Sequence, residues 1–164
     1  MKTTDFIKMA LENGTGWTLG LINDMKDAPF TQPTPNGGNH PLWVLGHIVR
    51  AESDLLDGFI LGQPNRFPEL ECCAMGSTPS TDASQYPSMD ELLGKFEEIR
   101  SATLAHLDSL RDDDLDQKSH APAEFGPPFA TVGACFAAMA THMAFHSGQV
   151  ADARKAAGRA PLMA

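Results

Sequence analysis

Apolar residues recur along the chain with a period near 3.6 in four separate stretches, and nowhere does strict alternation persist long enough for a strand. The first stretch begins at Thr4 or Asp5, either of which can cap a helix, and carries Ile7, Ala10, Leu11, Leu21 and Met25. Gly14, Gly16 and Gly20 weaken it. A polar break rich in Pro and Gly runs from Pro29 to Pro41. Asn39 is then a candidate cap, with Pro41 at the first helical position of a second helix over 41–61. Trp43, Val44, His47, Ile48, Ala51, Leu55 and Phe59 form its inward stripe, and Arg50, Glu52 and Asp57 fall mostly off it.

Gly62 to Pro87 is irregular, and its length predicts a crossover that covers part of the domain, with a slack surface loop as the alternative. Ser88 followed by Glu91 is a capping-box pattern that opens a third helix, which carries Leu92, Phe96, Ile99, Thr103 and Leu107 and ends near Arg111. Asp112, Asp113, Asp114 and Asp116 read as a solvated turn, with a divalent-ion site as the alternative. Pro122, Gly126, Pro127 and Pro128 exclude a helix over 119–130. Thr131 caps a fourth helix that runs to about Ala157, with Gly158 as its stop. The pattern predicts an all-α four-helix bundle formed by a single domain spanning residues 1–164.

Composition narrows the function. A net charge of -9 argues against nucleic acid as a partner. No segment has the unbroken apolar length of a membrane span, and the first residues lack the apolar run of a signal peptide, so a cytoplasmic location is expected. The three cysteines make no disulfide framework. Cys72 and Cys73 are either incidental or redox or ligand thiols, and Cys135 reads as core packing.

The candidate chemistry lies in the fourth helix. His142 and His146 stand four residues apart and Gln149 follows three later, so all three share one helical face. The metalloprotease pattern would place Glu directly after the first His; Met143 stands there, leaving a bare H-x-x-x-H. His47, read alone, is a polar ring in an apolar row, satisfied by a neighbour. If the second and fourth helices face the same core, it can instead join His142 and His146 around one metal ion. Three neutral imidazoles suit zinc, nickel, iron or copper rather than magnesium or calcium, and leave a coordination position open. Asp54, two turns after His47, is a candidate catalytic base or an ordinary boundary carboxylate, and Gln149 is a candidate for orienting a ligand. Gly148 is expected to permit close helix approach. His106 and His120 read as boundary or surface residues.

The segments W-V-L-G-H-I-V-R-A-E (Trp43–Glu52), H-M-A-F-H-S-G-Q-V (His142–Val150) and G-R-A-P-L (Gly158–Leu162) resemble the DinB/YfiT-like metalloenzyme family. The resemblance implies an up-down-down-up bundle with the long crossover between helices 2 and 3, and a homodimer. It also implies a metal held by His47, His142 and His146. Members with known activity use a metal-held low-molecular-weight thiol against a small electrophile, so the resemblance implies a thiol-dependent transferase or isomerase. A metal-dependent hydrolase using water, and a non-catalytic stress-related or interaction bundle, are the alternative readings.

Overall fold

The structure, a computed structural model, describes residues 1–35 and 37–162. Four long helices carry the fold: α1 (Thr3–Asn23), α2 (Pro41–Ser53), α3 (Met89–Ser109) and α4 (Val132–Ala156). The backbone of α2 continues without a break into a π-helical segment, Asp54–Ile60, so the expected span is correct while its last turns are wound more loosely. No strand forms among the described residues, and no helix there is long and apolar enough to cross a membrane.

Pairs of contacting residues fix the helix directions. Along α1 and α4 they rise together: Gly14 lies against Met143, Thr18 bonds Ser147, and Asp24, just past α1, pairs with Arg154. Along α2 and α3 they also rise together, from Gly46 beside Leu92 to Glu52 on Arg100. Numbers run in opposite senses between α1 and α3 (Lys8 with Asp108, Leu11 with Arg100) and between α2 and α4 (Asn39 with Gln149, His47 with His142). The bundle is therefore up-down-down-up, and α2 and α3 can be parallel only because the crossover between them is long. Leu45, Ile48, Phe96, Ile99, Phe136 and Met139 are buried at its centre.

Several terminal signals act as the sequence implies. Ser88 accepts from the Glu91 amide while Glu91 accepts from the Ser88 amide, Thr131 accepts from the Ala134 amide, and Gly158 takes the positive φ of 75° that ends α4. Others are corrected. Helix α1 starts before Thr4 and Asp5: Asp5 accepts from the Lys2 amide, and Asp112 reaches across the bundle end to accept from the Thr3 and Thr4 amides at 2.8 and 3.1 Å. One residue of the supposedly solvated acidic turn is thus an N-terminal cap supplied by a distant segment. The cap of α2 is His40, whose Nδ1 accepts from the Trp43 amide, rather than Asn39. Helix α3 ends at Ser109 with Leu110 as its cap, next to Arg111 as expected.

Glu52 and Asp57 are not off the inward face; both are buried. A carboxylate can be buried here because a guanidinium accompanies it. Arg100 donates to Glu52 at 2.7 Å and Thr103 donates to its other oxygen at 2.7 Å, while Arg66 forks onto Asp57. The guanidinium holds the Asp57 carboxyl below the usual carboxylate range, although burial alone pushes the other way.

Candidate metal centre

His47 enters the core from the middle of α2, and one turn earlier Trp43 lays its indole over the imidazole, with ring centres 4.6 Å apart and planes 10° apart. The crossover closes on the same turn. A Cβ on Gly46 would lie 2.5 Å from the Cys73 sulfur, so only glycine lets the Pro68–Cys73 turn pack so tightly against α2. That approach delivers the Cys73 carbonyl oxygen to His47 Nδ1 at 2.8 Å. A carbonyl can only accept, so Nδ1 carries the proton and Nε2 presents a lone pair.

From α4, His146 is fixed in the same sense: its Nδ1 lies 2.8 Å from Gln149 Oε1, which also accepts from Asn39 Nδ2 at 3.2 Å. The Nε2 atoms of His47 and His146 then lie 3.2 and 2.9 Å from Nε2 of His142. One ligand atom from each of the three residues lies within 4.8 Å of the other two. Two orienting acceptors thus aim two lone pairs at the third ring, an arrangement that fits a shared cation.

The electrostatics agree with that fit. Burial, then the neighbouring rings of His146 and His47, lowers the His142 pKa to about 3. Burial lowers that of His146 to about 4 against the opposing effect of Gln149, and burial lowers that of His47 against the Cys73 carbonyl and the negative charge of Asp54. The rings are therefore neutral near pH 7, the form a transition metal requires. They could hold one such ion, and three neutral donors would leave its whole charge to act on a further ligand.

His47 and His146 are buried, and His142 is half-buried. Beside them Thr34, Gly38, Asn39, Phe145, Gly148, Gln149 and Asp152 line a cleft of about 290 Å³. Gln149 belongs to both, touching His146 on one side and the cleft on the other. Gly148 does not serve helix packing, since a Cβ there would meet nothing within 4 Å; its missing side chain leaves room in the cleft.

Of the residues singled out from the sequence, His47, His142 and His146 come together, and Gln149 joins them through His146. Asp54 lies outside the cluster, where it accepts from Asn65 Nδ2 at 2.7 Å and faces Arg50 at 4.0 Å. His106 is half-buried and stacks against Phe136, and His120 is exposed. Cys135 is wholly buried in the core. The sequence reading missed the orienting role of Trp43, although W-x-x-x-H spacing places it one turn before His47. It also missed Cys73, whose contribution is a backbone carbonyl and leaves no mark in a side-chain pattern.

Comparison with curated proteins gives no match. The chain matches the family model of the DinB superfamily over residues 10–150, and it belongs to that superfamily.

Proposed function

We propose that the protein is a metal-dependent enzyme that joins a low-molecular-weight thiol to a small electrophile, or isomerises such an adduct. Zinc, nickel or iron would be held by His47, His142 and His146. The observation that carries this reading is the pair of fixed tautomers, Cys73 on His47 and Gln149 on His146, which present neutral Nε2 atoms beside that of His142. A bound metal would lower the pKa of a ligated thiol or water, so that the nucleophile is available at neutral pH. An all-imidazole donor set adds no negative charge of its own, which favours an anionic sulfur as the further ligand.

The chain's own residues have the supporting parts. Trp43 covers one face of His47 and keeps water from it. Gln149 holds His146 in register and stands at the wall of the cleft where a substrate would lie. Phe145, two-thirds exposed at that wall, offers an aromatic surface to the apolar part of an electrophile. Phe6, Met9 and Trp17 follow one another at helical spacing on the outside of α1, which supports the expected homodimer; light scattering at micromolar concentration checks it.

The test has two stages. Protein purified without an affinity tag is expected to carry about one transition metal per chain, and His142→Ala much less; equal metal in both would remove the site. Turnover of a model electrophile is then measured with and without small thiols. Thiol-dependent turnover supports the proposal, whereas turnover indifferent to every thiol would assign the site to hydrolysis.

A further inference from the structure

The crossover carries two free cysteines side by side, and neither thiol has a part in the function proposed above. Cys72 is half-buried and Cys73 fully buried, with their sulfurs 3.7 Å apart. What sets the pair apart is what its backbone holds. The Cys72 carbonyl accepts from Trp43 Nε1 at 3.2 Å and from Ser77 Oγ at 2.9 Å, and the Cys73 carbonyl accepts from His47 Nδ1 at 2.8 Å. The two carbonyls therefore hold both members of the stacked pair of rings on α2.

We propose that Cys72 and Cys73 are a redox modification site, closed to a vicinal disulfide by a small-molecule disulfide, and that closure re-aims the two carbonyls holding Trp43 and His47. The reachable Cys72 thiolate attacks one sulfur of the oxidant, forming a mixed disulfide and releasing one thiolate. Cys73, buried 3.7 Å from the Cys72 sulfur, attacks that sulfur while its proton passes to the departing small-molecule sulfur, forming the Cys72–Cys73 bond and releasing the second small thiol. Two protein thiols are oxidised and one small disulfide is reduced to two thiols.

Closure must move the backbone. Bonded sulfurs sit about 2.05 Å apart, and disulfides usually bridge Cα atoms 4.4–6.8 Å apart, whereas adjacent Cα atoms are only about 3.8 Å apart. The ring can close only by twisting the peptide that bears the Cys72 carbonyl and turning Cys73 with it. Such a strained bond is easily reduced again, as a reversible modification requires. Cys73 packs on Gly46, so its displacement is felt at the turn of α2 that carries His47.

The test uses the full chain with Trp17→Phe, which leaves Trp43 as the remaining tryptophan, treated with glutathione disulfide. The treated protein is expected to lose the mass of two hydrogen atoms, with the link mapped between Cys72 and Cys73. Trp43 emission is expected to shift, and dithiothreitol to reverse both changes. Cys72→Ser and Cys72→Ala, at the half-buried position, are each expected to abolish both. A persistent glutathione adduct on Cys72, a link that includes Cys135, or a vicinal disulfide that leaves Trp43 emission unchanged would overturn the proposal. None of these readings needs bound metal or turnover, so failure here is distinct from failure of the proposed function.

Discussion

Acid should destabilise the metal-free protein through the histidine cluster, and the size of the effect follows from burial. An ordinary histidine titrates near 6.5, whereas His142 and His146 in the fold are lowered to about 3 and about 4. Between those values the unfolded chain takes up protons that the folded one refuses. The cluster therefore costs nothing above about pH 6.5, and stability falls as the pH drops toward the folded values. At about pH 5, each ring held neutral has forgone roughly 1.5 pH units of protonation, about 2 kcal/mol, or about 4 kcal/mol for the two. Against a typical domain stability of about 5–15 kcal/mol this is large. The assay is urea unfolding of chelator-treated protein at about pH 7.5 and pH 5, beside the double variant His142→Leu with His146→Leu. Carboxylates common to both proteins cancel in the comparison. The natural chain should lose about 4 kcal/mol more than the variant on acidification; parallel losses would refute the account of buried, neutral imidazoles.

Gln149→Leu removes the acceptor on His146 Nδ1 and should weaken zinc affinity about 10- to 100-fold in chelator competition, while Gln149→Glu, which keeps an acceptor, should retain most of it. Glu52→Gln strands the buried Arg100 charge and should cost about 3–5 kcal/mol, which calorimetry would read as a melting point lower by about 10 °C. Replacing Glu52 and Arg100 together by Met should restore most of that loss. Gly46→Ala drives a methyl to 2.5 Å from the Cys73 sulfur and should destabilise by about 1–3 kcal/mol, whereas Gly94→Ala, in α3 with nothing within 4 Å, should gain about 0.5–1 kcal/mol; chemical denaturation of the pair separates the two.

Periodicity along the chain by itself determined the four helices, because a helix that buries one face must repeat its apolar residues near every 3.6 positions. Ser88, Thr131 and Gly158 marked ends correctly because each acts on backbone within three or so residues of itself. The same locality made His142 and His146 legible as a pair, with Gln149 beside them. Nothing local could place His47 opposite them; antiparallel packing of α2 on α4 did that, across 95 positions of sequence. Tertiary structure also decided where Asp112 goes, why Glu52 and Asp57 are inside, and that Asp54 stands apart from the cluster. A charged side chain reads as exposed until its partner is known, and Arg100 lies 48 positions from Glu52. The acceptor that sets the His47 tautomer is a carbonyl, a group every residue carries, so only the close approach at Gly46 could select Cys73 for it.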